Sequence, residues 1–245
     1  MMVDTIAIVP ARSGSKGLSG KNMRPFLGRP LLDWSLLVAE RCQSIGTSVL
    51  SSDSEDFLAR AIHFPKAKGI VRPAHLADDH SPMSGVIAHA TAAVSELQFD
   101  YVVLLDPTSP FRNPSEVEAA LDNLRQSPSA SGVVSVSQPH FNMRWVGVDL
   151  DEGGEIKRAF PGGGNYVARQ YVPPLWRMNG TFYIWRRGAA ENLQDPWLEQ
   201  GRYLGAETPE ERAFSIDTLE EFTLAETLAQ AGLVEWEVDP FAYKE

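Results

Sequence analysis

The sequence predicts an α/β fold built on a mostly parallel sheet. Short apolar runs rich in β-branched residues alternate with segments whose apolar residues recur at helical spacing. The runs have the length of buried strands, and the segments between them are long enough to be covering helices. Because parallel strands need such crossovers, the alternation indicates a parallel sheet with helices packed on it.

The predicted elements follow one another along the chain. The predicted strands are Ile6 to Val9, Thr47 to Ser51, Tyr101 to Leu105, Gly132 to Val136, Thr181 to Trp185 and Phe214 to Thr218. The predicted helices are Leu31 to Arg41, a short one capped near Asp53, Ser84 to Leu97, Pro114 to Gln126 with Ser115 and Glu118 as a capping box, and Leu219 to Gln230.

Composition limits the class of protein. The chain has 245 residues, of which 43% are apolar and 22% are charged, and its formal net charge is −10. This size suits one domain, residues 1–245, with a small insertion. The acidic balance argues against nucleic acid and anionic membrane partners. No apolar run has the length of a membrane helix and no export signal is recognised, so we expect a cytoplasmic enzyme or binding protein.

The loop after the first strand carries the strongest functional signal. It is rich in glycine and serine, contains several basic residues, and has no acidic residue between Asp4 and Asp33. Backbone amides of small residues can converge on an anion while arginine and lysine neutralise its charge, so the loop suits a polyphosphate. A basic loop that is merely solvated is the alternative. The standard P-loop and dinucleotide fingerprints are absent.

The segment PARSGSKGLSGKN in this loop resembles the signature A-R-x-x-S-K-G-x-x-x-K-N of the N-acylneuraminate (CMP-sialic acid) cytidylyltransferases. The resemblance implies a Rossmann-like nucleotidyltransferase sheet (GT-A-like, three-layer α/β/α) that binds CTP. Nucleotide contacts are expected from Ala11, Arg12, Ser13, Gly14, Ser15 and Asn22. The residues expected to be catalytic are Arg12, Lys16, Lys21 and Asp217.

Two later segments resemble the same family. VRPAHLA resembles its R-P-x-x-L-A segment, so Arg72 and Ser81 are expected to contact the cytosine base. LLDPTSPFR resembles its L-L-x-P-T-S-P-x-R segment, with Asp106 where many members have glutamine. A carboxylate after a buried strand lies where α/β sheets bind ligands. The resemblance implies acceptor contacts from Asp106, Thr108 and Ser109.

Residues 139–178 interrupt the alternation and predict a small, strand-rich insertion. They are rich in glycine and proline, and no acidic residue occurs between Glu155 and Glu191. This stretch is either a basic flap over an anionic site or a solvated insertion. In the family the corresponding insertion reaches across a homodimer and completes the neighbouring active site. The resemblance therefore implies a homodimer and acceptor contacts from Arg169, Gln170, Arg177 and Asn179.

A magnesium site is expected at two aspartates. FSIDT resembles the family's D-I-D-T segment, whose aspartates bind Mg²⁺. Asp217 matches the second aspartate, whereas Ser215 stands at the first. Our hypothesis is that Asp106 supplies the missing ligand, because Mg²⁺ needs only one or two carboxylates besides phosphate oxygens and water. Helix capping by Asp217 or Thr218 is the structural alternative.

These features together predict a CTP-dependent cytidylyltransferase. The expected reaction is attack of the anomeric hydroxyl of a sialic-acid-like nonulosonic acid on the α-phosphate of CTP, with release of pyrophosphate. The alternatives are the same reaction on an eight-carbon 3-deoxy-ulosonic acid, and a catalytically inactive nucleotide-binding relative. The serine at position 215 is the reason for the last alternative.

Overall fold

The computed structural model describes residues 4–14, 17–234 and 236–238, and within these it contains eleven strands and seven α-helices. The strands are β1 (Thr5–Pro10), β2 (Pro25–Phe26), β3 (Arg29–Pro30), β4 (Ile45–Ser52), β5 (Ala67–Val71), β6 (Tyr101–Leu104), β7 (Gly132–Ser137), β8 (Val148–Leu150), β9 (Ile156–Arg158), β10 (Arg177–Arg186) and β11 (Tyr203–Glu207). The helices are α1 (Leu31–Arg41), α2 (Glu55–Leu58), α3 (Met83–Ala92), α4 (Pro114–Arg125), α5 (Met143–Val146), α6 (Arg187–Glu191) and α7 (Leu219–Gln230).

A seven-stranded sheet forms the centre of the fold, in the order β11-β7-β10-β6-β1-β4-β5. β1 pairs in parallel with both β4 and β6, and the pairs β4–β5 and β7–β11 are also parallel. β10 runs antiparallel between β6 and β7. The predicted mostly parallel sheet is therefore confirmed.

Helices cover both faces of the sheet and give it three layers. Ala7 and Val9 of β1 pack in a core with α1, α4 and α7, whereas Ile6 and Ile8 pack in a second core with α3 and α6. Because successive side chains of a strand point to opposite faces, both halves of the apolar run are buried. No helix within the described residues is long and apolar enough to cross a membrane.

Two predicted elements differ from the structure. The helix predicted to reach Leu97 ends at Ala92, because the following amides bond to carbonyls three residues back, as Leu97 N does to Val94 O at 2.9 Å. The segment predicted as a strand from Phe214 to Thr218 joins no ladder. Instead its Ile216 N–H donates to Thr108 O at 2.8 Å, which ties the segment beside the end of β6.

The capping box predicted in α4 is wrong, because both of its residues bond elsewhere. The Ser115 hydroxyl donates to Glu237, and Glu118 accepts from the N–H and hydroxyl of Ser44. A capping box does occur at α7. There Thr218 Oγ1 accepts from Glu221 N at 3.2 Å, and the Glu221 carboxylate accepts from Thr218 N at 2.8 Å.

The predicted insertion contains α5 and the short hairpin of β8 and β9, and the chain then returns to the sheet through β10. Many of its apolar side chains are exposed. They include Phe141, Met143, Val146, Val148, Leu150, Ile156, Val167, Tyr171, Trp176 and Met178. Such a concentration of exposed apolar side chains is typical of a surface that packs against another protein.

Candidate active site

Two adjoining cavities open where β1 and β6 end at the carboxyl edge of the sheet. The first, called here the basic cavity, has a volume of about 350 Å³, and the second, the aromatic cavity, about 300 Å³. They share a wall formed by Met83, Asp106, Thr108 and Ser215. The basic cavity is completed by Pro10, Arg12, Gly17, Lys21, Asn22, Arg72 and Asp217. The aromatic cavity is completed by Ser84, Ile87, Leu104, Ser109, Asn179, Gly180, Tyr183, Trp185, Leu193 and Trp197.

The loop after β1 brings Arg12, Lys21 and Asn22 into the basic cavity. Asn22 Nδ2 donates to Arg12 O at 3.1 Å, which holds the two ends of the loop together. Its Oδ1 is buried and has no hydrogen-bond partner in the described part of the chain. The Arg12 guanidinium lies 2.5 Å from Asp79 Oδ1. A buried acceptor without a donor costs about 1–3 kcal/mol, so Asn22 Oδ1 is suited to receive a ligand's hydrogen bond.

Ala11 and Ser13, also predicted to bind nucleotide, have their amides engaged by the protein. Ala11 N–H donates to Ser51 O at 2.9 Å. The N–H and hydroxyl of Ser13 donate to the two oxygens of Asp53, at 2.8 and 2.7 Å. Burial acts to raise the pKa of Asp53, but these hydrogen bonds outweigh it and hold the pKa below its ordinary value. Asp53 therefore anchors the loop to the end of β4.

Two glycines of the loop differ in the space around them. A Cβ atom at Gly14 would meet nothing within 4 Å, whereas a Cβ atom at Gly17 would lie 2.2 Å from the carbonyl oxygen of Asp217. Gly17 thus permits the loop to approach the segment that leads into α7. Ser15 and Lys16 lie outside the described residues, and their expected roles stay predictions.

Lys21 and Asp217 form an ion pair in the basic cavity. Lys21 Nζ donates to Asp217 Oδ1 at 2.6 Å and to Ile216 O at 3.2 Å, and the Ser215 hydroxyl donates to Asp217 Oδ2 at 3.1 Å. Burial acts to raise the pKa of Asp217, but the hydrogen bonds and the Lys21 charge outweigh it and lower the pKa. Asp217 is therefore an anion at neutral pH. Because Thr218 caps α7, the Asp217 side chain does not serve as the cap.

Asp106 follows β6 in the wall that the two cavities share. Its Oδ1 accepts from Thr108 N at 3.0 Å and from Thr108 Oγ1 at 2.9 Å. Its carbonyl oxygen accepts from the guanidinium of Arg112, which is wholly buried. Burial lowers the pKa of Arg112 to about 10, which still leaves it protonated at neutral pH. Ser109, another predicted acceptor contact, donates to Gly180 O at 3.2 Å.

Arg72 enters the basic cavity from the end of β5, whereas Ser81 does not reach it. Arg72 Nε and Nη2 donate to the hydroxyl and carbonyl of Ser51, at 3.1 and 2.7 Å. Burial lowers the pKa of Arg72, and the charge of Asp53 partly offsets this. The Ser81 hydroxyl instead donates to His75 O at 2.8 Å, apart from the residues that line the two cavities.

The residues predicted to bind the acceptor from the insertion separate into two groups. Asn179 lines the aromatic cavity, where its Oδ1 accepts from Thr181 N at 3.1 Å. Arg169 and Gln170 line a third cavity, of about 540 Å³, within the insertion. Arg177 is paired with Glu210, with 2.9 Å between Nη2 and Oε1. Arg169, Gln170 and Arg177 therefore lie away from the wall that the two cavities share within the described chain.

The aromatic side of the site was not identified from the sequence. Tyr183 and Trp185 stack with 5.8 Å between ring centroids, and Trp197 meets both rings edge-on. Alternate residues of a strand share a face, so the spacing of Tyr183 and Trp185 was a usable signal. Trp197 comes from the loop after α6, and its position depends on the tertiary fold.

Known proteins resemble this chain along most of its length. The family model described as Cytidylyltransferase matches residues 6–235. Post-translational flagellin modification protein B of Campylobacter coli is 27% identical over 238 residues, which are 93% of this chain and 95% of that protein. The CMP-N,N'-diacetyllegionaminic acid synthase of Legionella pneumophila is 30% identical over 182 residues, which are 73% of this chain and 76% of that protein.

A solved structure supports the fold. The CMP:2-keto-3-deoxy-manno-octonic acid synthetase complexed with CTP has a TM-score of 0.70 and covers 94% of this chain and 99% of its own, at 16% identity. At that identity the likeness concerns the fold alone. The family model, in contrast, spans the first strand, both cavities and the last helix. The chain therefore belongs to the cytidylyltransferase family.

Proposed function

We propose that this protein transfers CMP from CTP to the anomeric hydroxyl of a sialic-acid-like nonulosonic acid and releases pyrophosphate. The observation that carries the proposal is that a basic cavity and an aromatic cavity meet at one wall, which contains Asp106, Thr108 and Ser215. Two substrates bound in the two cavities would thus meet at this wall. Relatives named for legionaminic and pseudaminic acids support the choice of acceptor class.

The basic cavity suits the triphosphate of CTP. Arg12, Lys21 and Arg72 bring three positive charges to it. Arg12 and Lys21 are each paired with an aspartate, so bound phosphate would replace or share a carboxylate partner. We assign Lys21 to the charge that develops at the α-phosphate, and Lys16 to the same triphosphate. Positioning and charge neutralisation account for most of the catalysis in such a transfer.

Asn22 and Arg72 in the basic cavity are the candidate partners of the nucleoside. The unpartnered Oδ1 of Asn22 can accept a hydrogen bond from an amino or hydroxyl group of the nucleoside. Arg72 is the proposed contact to the base. The amides around Gly14 and Ser15 are the proposed phosphate ligands, whereas Ser13 would have to leave Asp53 to join them.

Asp106 and Asp217 fit a Mg²⁺ ion. Both are carboxylates that line the basic cavity, and Mg²⁺ prefers oxygen ligands. Two carboxylates suffice for Mg²⁺ when phosphate oxygens and water complete its coordination. When bound, Mg²⁺ would supply neutralisation of the phosphate charge. Lys21, which donates to Asp217 Oδ1, would hold that carboxylate in the cavity.

The aromatic cavity favours an acceptor with an apolar substituent. Beyond the shared wall it has polar side chains at Ser84, Ser109 and Asn179, and apolar surface at Ile87, Trp185 and Leu193. Hydroxyl groups packed against Ile87, Trp185 and Leu193 would lose hydration, whereas an acylamino group presents a methyl group to these side chains. This favours a nonulosonic acid over an eight-carbon acid.

We further propose a cytoplasmic homodimer in which the insertion completes the partner's site. The exposed apolar side chains of the insertion support such an interface. Arg169 and Gln170, which lie in the insertion, would then contact the acceptor bound to the neighbouring chain. The net charge of −10 supports small-molecule substrates rather than nucleic acid or membrane partners.

The test is pyrophosphate release from CTP and Mg²⁺ with a panel of acids. The panel contains N-acetylneuraminic, legionaminic, pseudaminic and eight-carbon ulosonic acids. Release with a nine-carbon acid supports the proposal and names the substrate, whereas release with the eight-carbon acids alone overturns the choice of acceptor. Tight CTP binding without release from any acid would identify an inactive relative.

A further inference from the structure

The guanidinium of Arg112 is a buried charge that none of the proposed steps uses. Its side chain is 0% exposed, in the segment that links Asp106 to α4. Burial of a charge is costly unless it is paired and hydrogen-bonded. Arg112 forms no ion pair within the described residues, and its hydrogen bonds go to uncharged oxygens. Its three charge-assisted hydrogen bonds must therefore offset the cost of burial.

The three hydrogen bonds of Arg112 join three separate elements. Nη2 donates to Asp106 O after β6, Nε donates to Thr181 O in β10, and Nη1 donates to the Ser35 hydroxyl of α1 at 2.8 Å. A planar guanidinium holds such partners at fixed mutual angles. Because the donor is charged, each bond is stronger than a neutral one.

Thr181 lies where β10 departs from regular pairing. The register with β7 shifts between Met178 and Tyr183, and Gly180 has a φ of +73°. This irregular segment presents Asn179 and Gly180 to the aromatic cavity. Backbone carbonyls outside a regular ladder need other donors, and Arg112 supplies one.

We propose that Arg112 is a positioning residue that fixes Asp106 and residues 179–181 relative to each other. It thereby sets the distance and orientation between the proposed cation site and the acceptor site. The inference rests on the proposed function, because Asp106 is the proposed cation ligand. One side chain thus holds both Asp106, in the wall that the two cavities share, and residues 179–181, beside the aromatic cavity. Lysine in its place could contact one or two of the three oxygens but could not hold all of them in one plane.

Arg186 provides a matched control at the other end of β10. It also donates to three backbone carbonyls, those of Ala130, Leu124 and Ser127, at 2.9, 2.8 and 3.2 Å. Arg112→Lys and Arg186→Lys should both lower the melting temperature. Only Arg112→Lys should raise the Mg²⁺ concentration for half-maximal rate and the KM for the acceptor, each by about 10-fold. The KM for CTP should change little.

A binding measurement separates this inference from the proposed function. Mn²⁺ binding to the CTP complex, followed by water proton relaxation without acceptor, should weaken in Arg112→Lys and not in Arg186→Lys. Ser35→Ala removes one of the three contacts with little loss of packing, and it should give a smaller shift in the same direction, which decides the matter if Arg112→Lys does not fold. If Arg112→Lys and Ser35→Ala both bind Mn²⁺ as tightly as the wild type does, the inference is overturned. Absence of turnover in the wild type with every acid overturns the proposed function instead.

Discussion

Lys21 and Asp217 are 196 positions apart in the chain, and 2.6 Å separates Lys21 Nζ from Asp217 Oδ1. The contact joins the loop after β1 to the segment before α7. Thr218 caps that helix and thereby leaves the Asp217 carboxylate for the cavity. The lysine assigned to the α-phosphate and a carboxylate assigned to Mg²⁺ are thus adjacent in the basic cavity.

Replacement of Lys21 by methionine should abolish most of the turnover. The methionine is an unbranched side chain one atom shorter than lysine, and it removes the charge from the basic cavity. Loss of one such charged donor costs about 10²-fold or more in kcat. Lys68→Met, in the exposed part of β5, is the control and should leave kcat unchanged. Steady-state pyrophosphate release measures both. Near-wild-type kcat in Lys21→Met would contradict the role given to Lys21.

Asp106→Asn and Asp217→Asn should each raise the Mg²⁺ concentration for half-maximal rate by about 10-fold or more. Asparagine keeps the shape of each side chain but removes the charge that attracts the cation. CTP affinity measured in EDTA should not fall in Asp106→Asn. The control is Asp122→Asn, which removes an exposed carboxylate paired with Arg125. An unaltered Mg²⁺ requirement in Asp106→Asn would show that Asp106 does not hold the ion.

Gly17→Ala should lower kcat/KM by about 10²-fold while the sheet stays folded. The added Cβ atom would lie 2.2 Å from Asp217 O, so the loop and the start of α7 must move apart. Gly188→Ala in α6, away from both cavities, places the same methyl group where nothing lies within 4 Å, and it should retain activity. Kinetics and circular dichroism of the two variants measure the effect. Equal activity in both would mean that the close approach at Gly17 has no catalytic consequence.

Asp53 should contribute stability at neutral pH that disappears in acid. Burial acts to raise its pKa, but the hydrogen bonds from Ser13 outweigh this and lower the pKa from 3.8 in the folded protein. A folded-state pKa below the unfolded value stabilises above the unfolded pKa, and the stabilisation is lost as the pH falls through the folded pKa. Asp53→Asn should therefore have a lower melting temperature than the wild type near pH 7, and the gap should close towards about pH 3. Asp56→Asn, which removes an exposed carboxylate nearby, should show a smaller gap at both pH values.

The sequence predicted those parts of the molecule that depend on local pattern. Strand β1 is apolar on both faces, so its burial in the centre of the sheet followed from composition alone. Helix α7 was predicted at its observed bounds, and Thr218, one of the two residues expected as its N-cap, caps it. The signature of the loop after β1 singled out Arg12, Lys21 and Asn22, and the structure brings these three residues to one cavity.

The contacts that required the tertiary fold could not be predicted. The capping box expected in α4 failed because Ser115 and Glu118 bond to partners far away in the sequence, Glu237 and Ser44. Asp53 was expected to cap a helix, and its actual partner, Ser13, lies 40 positions earlier. In each case a local rule gave way to a contact that exists only once the strands are assembled.

Trp197→Ala should raise the KM for the acceptor more than the KM for CTP. Trp197 packs edge-on against Tyr183 and Trp185 and lines the aromatic cavity, but it lies away from the basic cavity. Its removal enlarges the apolar part of the pocket, so an acylamino substituent would lose contact while the triphosphate site is unaffected. Leu198→Ala changes the next side chain, which is exposed, and should alter neither KM. If Trp197→Ala instead raised the KM for CTP alone, the nucleotide would have to occupy the aromatic cavity, and the assignment of the two cavities would be reversed.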